Sequence, residues 1–325
     1  MRPSAAERGA PGGYRSSFPT VDMAERLEAA FEAVKQIQVS TEYEIYSFAE
    51  ESAPIRSELE GGEDLLARAA FREEVSETRR ATAVVLSRSP AGVVLVTAAH
   101  AAFRPDTVVE HFGPPSGAVD DPERRIRSVS IKRLQTNWVL GLPGPRTFEL
   151  LAWDSDEDVA LLAVPALEPG GLEEVRPLPV RAGDPSDLGP GSFVYILGYP
   201  GGYRMVSRGI ATPRGDERGS FVIDGNWNQG VSGGAVLAVR GEEEGLEWIG
   251  MARAASAVSE PRLVPPDAAT DGHDPAVPYE GPIFLEEHLR IQYGVTLSVP
   301  MTTIRRFIED NRESVERRGY EVPVP

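Results

Sequence analysis

Short apolar runs separated by turn residues set the rhythm of this chain, and helical periodicity is confined to its two ends. After Thr20, Met23, Leu27, Phe31 and Val34 recur at helical spacing, which predicts a helix over 21–36 with Thr20 as its cap. The pattern then turns strand-like from Ile37 to Phe48, with alternation and aromatics in Glu42-Tyr-Glu-Ile-Tyr-Ser-Phe48. Two apolar runs, Thr82 to Leu86 and Val93 to Val96, flank Ser87-Arg-Ser-Pro-Ala-Gly92 and predict a hairpin. Ser128 to Leu134, Trp138 to Leu140 and the fully apolar Val159 to Val164 add strands. Further short strands are expected at 192–197, 205–211, 220–223, 235–239, 247–251 and 295–299. Ile304, Phe307, Ile308 and Val315 then share one face of a closing helix at 303–318, which ends near Gly319.

Many short strands with few internal helices predict an all-β fold of two packed antiparallel β-barrels with an N-terminal and a C-terminal helix. The expected division is a disordered stretch at 1–19, one domain at 20–319 and a tail at 320–325. Within the domain the first barrel covers about 37–164 and the second about 178–300. The Pro-rich span 165–179 joins them. The charged segment 50–80 carries at most a short helix at 65–71, and 260–280, rich in Pro, Asp, Ala and Gly, reads as a long exposed loop.

Composition narrows the chemistry. The formal net charge of −17 over 325 residues sets the surface against nucleic acid and anionic membranes, and no basic run suggests a groove for either. No cysteine is present, which removes disulfides, thiolate catalysis and Cys-based zinc sites. With four histidines (His100, His111, His273 and His288) and no close His pair, neither a metal nor a cofactor is expected. The first twenty residues lack an apolar core of the signal-peptide kind, and no apolar run reaches spanning length. A cytoplasmic protein is the expectation, or an exported one if the true start lies upstream.

The candidate chemistry centres on Gly230-Val-Ser-Gly-Gly234, which leads into the apolar run 235–239. A serine hydroxyl attacks only when a base takes its proton and donors stabilise the oxyanion it creates. Flanking glycines let the backbone turn tightly and aim successive N–H groups, here those of Gly230 and Ser232, at one point. The bland alternative is a Gly-rich turn before a strand. Upstream stand Thr97-Ala-Ala-His100 and the acidic turn Asp154-Ser-Asp-Glu-Asp158 before Val159-Ala-Leu-Leu162. Of its three aspartates, Asp158 abuts the apolar strand, where a buried carboxylate needs a partner such as an imidazole. The other three histidines lie in polar or loop contexts and read as surface or structural.

The order His100, Asp158, Ser232, with these flanks, resembles the chymotrypsin-fold serine proteases, most closely the bacterial HtrA-type (Deg) branch. Pro179 to Gly202 is similar to the strand pair opening that family's second barrel, and Gly294-Val-Thr-Leu-Ser-Val-Pro300 to the end of its protease domain. The resemblance implies a serine endopeptidase acting on protein or peptide substrates through an acyl-enzyme, without cofactor. His100 would serve as general base and acid, Asp158 as its orienting carboxylate and Ser232 as nucleophile. The Gly230 and Ser232 amides would form the oxyanion hole.

The chain also departs from that pattern. Asn226 stands where trypsin-like members carry an aspartate, so a preference for Arg or Lys is not expected; a small-to-medium apolar P1 residue is. Trp227 either packs in the core or narrows the specificity pocket. Val231 and Gln229 replace the polar residue and proline often found around the nucleophile, no zymogen-type activation site precedes the barrel, and the PDZ domain of HtrA-type proteins is not expected. The alternative reading is a catalytically silent or gated trypsin-fold module that binds a peptide or partner protein. An esterase on a doubly wound sheet is disfavoured, because that fold places its histidine after the serine. Oligomeric state is left open by the sequence.

Overall fold

The computed structural model describes residues 13–19, 21–60, 65–112, 123–144, 146–167, 171–215, 219–225, 228–240, 245–264, 277–279, 281 and 283–325. The first half contains helix α1 (Ala24–Phe31), β1 (Val34–Ser47), the short α2 (Arg56–Glu60), β2 (Phe71–Ser89) and β3 (Gly92–Thr97). It continues with the one-turn α3 (Ala99–Ala102), β4 (Thr107–His111), β5 (Ile126–Leu140), β6 (Arg146–Thr147), β7 (Glu149–Asp154) and β8 (Val159–Pro165). The second half contains β9 (Ser192–Gly198), β10 (Met205–Pro213), β11 (Phe221–Ile223), β12 (Ala235–Arg240), β13 (Gly245–Val264) and β14 (Phe284–Pro300). Helix α4 (Met301–Arg317) follows.

The fold is mostly β, as the sequence predicts, and its halves close differently. In the second half the ladder β10-β11-β14-β13-β12-β9 returns on itself as a six-stranded barrel. In the first half the order β4-β5-β1-β2-β3-β8-β7, with β6 paired to β5, stays open as a half-barrel. β1, β2 and β5 run 14, 19 and 15 residues, and their distal ends form a ribbon beyond the barrel. A small satellite core of Tyr46, Phe48, Ala53, Ile126 and Val129 supports that ribbon.

The largest core runs between the halves without a break. It joins Leu95, Leu161 and Leu162 from the first to Leu197, Leu237 and Met251 from the second, and α4 adds Ile304 and Phe307. Fully burying such a side chain is worth about 1.5–3 kcal/mol, so the shared core holds the facing strand ends firmly together.

Several expected boundaries move. The N-terminal helix ends at Phe31 and Val34 already pairs with Val84, because Val34 lies on both the helical stripe and the alternating strand pattern. At its start Asp22 Oδ1 accepts from the Ala24 amide at 2.9 Å; the expected cap Thr20 lies outside the described residues. Residues 71–80, part of the charged segment expected to hold at most a short helix, are strand, and that helix spans Leu65–Arg68 as a 3-10 turn. Residues 260–264 extend β13 rather than opening the loop, whose middle lies outside the described residues. The disorder expected at 1–19 does not hold at 13–19: Tyr14 bridges to Arg240, and the Arg15 amide donates to Val239 O at 3.0 Å. The other terminal helix begins two residues early, at Met301, and Gly319 follows it at φ 88°, a left-handed helix end that favours glycine.

Candidate active site

His100 sits in α3, the single turn that follows β3. Opposite it, the turn between β7 and β8 delivers Asp158, whose neighbour Val159 starts a strand buried at every position through Val164. Asp154 builds that turn by accepting the amides of Asp156 and Glu157, both at 2.9 Å. Asp158 itself adopts φ 58°, a left-handed conformation that aspartate tolerates better than most residues. The Phe103 ring stacks on Trp153 at 4.8 Å between centroids, which ties the segment after His100 to β7 just ahead of the acidic turn.

His100 and Asp158 meet closely. Nδ1 of the imidazole lies 3.0 Å from Oδ1 and 2.9 Å from Oδ2, and the His100 backbone N–H donates to Oδ1 at 2.9 Å. The Asp158 side chain is 4% exposed while the imidazole is 41% exposed, so the carboxylate is sealed behind a ring that faces outward. A buried carboxylate facing Nδ1 selects the tautomer with its proton there, and this leaves Nε2 as an acceptor toward solvent. A third donor was not foreseen: Nε of Arg253, from β13, reaches Oδ2 at 3.1 Å. Local sequence carries no sign of that contact, because the partners are 95 residues apart.

Ser232 occupies the turn before β12, half-buried. Its carbonyl accepts from the Thr82 amide at 2.8 Å, while the Gly233 amide donates to Ala252 O at 2.8 Å. Thr82 organises the junction. Its hydroxyl donates to Gly230 O at 2.6 Å and accepts from the Tyr199 amide at 3.0 Å. Its carbonyl accepts from the Thr97 hydroxyl at 2.6 Å. Since Thr97 lies three residues before His100, the Ser232 turn and the histidine turn hang from one pair of adjacent strands. The sequence reading gave neither threonine a role; each is a polar residue at one end of an apolar run, and both prove fully buried, where a hydroxyl needs a partner.

The two left-handed glycines of this turn admit no side chain. A Cβ on Gly233 (φ 87°) would lie 1.9 Å from Thr82 O, and one on Gly230 (φ 106°) would lie 2.3 Å from Tyr199 O. The hydrogen bonds also orient the two amides singled out above. Gln229 O accepts from the Gly201 amide at 2.7 Å, and Val231 O accepts from the Gly234 amide at 2.8 Å. In a trans peptide the N–H points opposite to the carbonyl, so the N–H groups of Gly230 and Ser232 are turned away from those anchors.

Among the described residues no hydrogen bond joins the His100 ring to Ser232. Asn226 and Trp227 lie outside the described residues, as do His273 and the side chain of His288; His111 stands half-buried on β4. No cluster of three or more metal-binding side chains occurs among the described residues, and none of their helices is long and apolar enough to cross a membrane.

A half-barrel and a closed barrel that share a core, with a histidine–aspartate pair on one and a glycine-framed serine on the other, define a protein of the trypsin-like architecture. The sequence matches the trypsin-like peptidase domain over residues 81–246, half of the chain, and the protein belongs to that family. Among curated proteins none matches it.

Proposed function

We infer that the protein is a serine endopeptidase that cleaves peptide bonds through an acyl-enzyme, with His100, Asp158 and Ser232 as its triad. The observation that carries this reading is the sealed Asp158 carboxylate, bonded to Nδ1 of an imidazole whose other nitrogen is open. In the proposed reaction Nε2 takes the Ser232 proton as Oγ attacks the substrate carbonyl. Asp158 stabilises the imidazolium, and the amides of Gly230 and Ser232 receive the oxyanion. His100 then protonates the leaving amine, and water repeats the sequence to free the enzyme. Hydrogen bonds of this kind are often long before substrate arrives, so an unmade His100–Ser232 contact is compatible with activity. Substrates are proteins or peptides, as the family implies; the HtrA-type affinity and bacterial origin rest on the motifs alone. Asn226 and Trp227 remain the proposed substrate-pocket residues.

The same unmade contact, together with Arg253 on Asp158, favours a second reading: a gated or silent trypsin-fold module that binds a peptide or partner protein. Labelling with a fluorophosphonate separates the two. Active enzyme forms one adduct, mapped by mass spectrometry to Ser232 and lost in Ser232→Ala. Well-folded protein that takes up no label at any pH would move the binding-module reading ahead.

A further inference from the structure

Ala252 and Arg253 are consecutive residues of β13, and together they connect both parts of the candidate site. The backbone of Ala252 pairs with the nucleophile turn, accepting from Gly233 N at 2.8 Å and donating to Gly234 O at 2.9 Å. The next side chain crosses to the first half and donates to Asp158 Oδ2 at 3.1 Å. Arg253 is thus a strut between the serine turn and the acid, and it brings a full positive charge with it.

Resting on the triad reading above, we propose that Arg253 is a positioning residue that sets the strength of the general base. It fixes Oδ2 and takes up part of the carboxylate charge that would otherwise stabilise protonated His100. Asp158 Oδ1 is held independently by the His100 backbone N–H, so the carboxylate keeps its place when Arg253 is changed. Two carboxylates of the same turn are engaged elsewhere. Glu157 pairs with Arg306 of α4 at 2.8 Å, and Asp154 binds the amides of Asp156 and Glu157. Among the described residues, Arg253 is the cation bonded directly to Asp158.

The sign follows from the charges. A cation beside Asp158 disfavours imidazolium, so the ring releases its proton at lower pH and is a weaker base once free. With Arg253, therefore, the site works further into the acid range and reacts more slowly on its plateau. Removing the charge reverses both effects.

The test compares Arg253→Gln and Arg253→Lys with the parent, using the rate of fluorophosphonate labelling of Ser232 against pH. Arg253→Gln is expected to move the acid limb upward and to raise the plateau rate roughly three-fold. Arg253→Lys, which keeps the charge, is expected to restore the parental limb. If both variants slow alike and the limb stays in place, Arg253 is packing only and the proposal fails. A second readout needs no activity: the ring-proton NMR titration of His100 in Ser232→Ala, with and without Arg253→Gln. An upward move of the midpoint supports the proposal even if the parent protein never labels, a result that would sink the triad reading alone. An unmoved midpoint in folded protein overturns the role of Arg253 whether or not Ser232 reacts.

Discussion

Two carboxylates in this molecule are equally hidden, and their surroundings differ in one decisive respect. Asp158 and Glu247 each expose 4% of the side chain. Glu247, on β13, is enclosed by strong donors. Arg240 donates from Nε and Nη2 to its Oε2 at 2.9 and 2.6 Å, Tyr14 adds a hydroxyl at 2.8 Å, and Arg181 reaches Oε1 at 2.7 Å. Burial pushes the Glu247 carboxyl up, but the bonds from Arg240 and Tyr14 outweigh it and hold the group below the usual carboxylate range. Arg240 and Tyr14 are both held above their ordinary ranges and keep their protons near neutral pH. Asp158, by contrast, shares both its oxygens with Nδ1 of the His100 imidazole, and Arg253 reaches Oδ2 alone. Burial alone therefore does not tell the two carboxylates apart; the imidazole partner of Asp158 does.

The largest expected break in the comparison comes from Asp158→Asn. The His100 backbone N–H, which donates to Oδ1, holds the carbonyl oxygen of the asparagine at that position, so its NH2 takes the Oδ2 position and faces His100 Nδ1. The ring then carries its proton on Nε2 and cannot accept one from Ser232. Labelling of Ser232 should fall roughly a thousand-fold while the protein remains folded. A loss below ten-fold would show that the carboxylate does not control the histidine.

Glu247→Gln should do the opposite. Breaking a buried, multiply bonded carboxylate costs stability, here on the order of 2–3 kcal/mol, and labelling at 25 °C should stay within about three-fold of the parent. The pH dependence sharpens this. Because the folded carboxyl is held low, its contribution is fully present above the ordinary glutamate range, and it is lost as pH falls through that range toward the depressed folded value. Thermal melts from neutral to acid pH should therefore show the Tm gap between parent and Glu247→Gln narrowing as the solution is acidified. A gap that is constant or widens would mean that Glu247 is not the charged anchor described here.

The same contrast explains what could be read from the sequence. The strand Val159 to Val164, the glycine-framed Ser232 and the T-A-A-H stretch are local signals: apolar runs, turn residues and their order along the chain. What was missed depends on distant partners. Thr82 reaches Gly230 across 148 residues and Arg253 reaches Asp158 across 95, and neither has a neighbour in sequence that announces the contact. Residues 71–80 are exposed and charged, so no apolar alternation reveals a strand that exists because it pairs with β1. Arg15 illustrates the same limit. Its flanks of Gly, Ser and Pro read as coil, yet its carbonyl accepts from the Phe193 amide at 2.7 Å at the edge of the closed barrel.

Tyr14 gives the smallest effect and the most stringent check on the separation of the two regions. Its ring lies under the Arg240 guanidinium at 4.1 Å, and its hydroxyl both donates to Glu247 and accepts from Arg240 Nη2 at 3.1 Å. Burial, reinforced by the bond to Glu247, drives the phenol far above its ordinary range, so it stays a neutral donor wherever the protein is folded. Tyr14→Phe keeps the ring and its stacking and removes only the hydroxyl. Glu247 retains its arginines, so the expected cost is about 1 kcal/mol, read as a small drop in Tm. Faster amide exchange at Arg15 and Phe193, whose backbone groups hold the arm to the barrel, should accompany it. The rate of Ser232 labelling should not move. If it did, the N-terminal arm would be communicating with the cleft through β13, which carries Glu247 at one end and Arg253 six residues on, and the two carboxylate sites would have to be treated as one coupled unit.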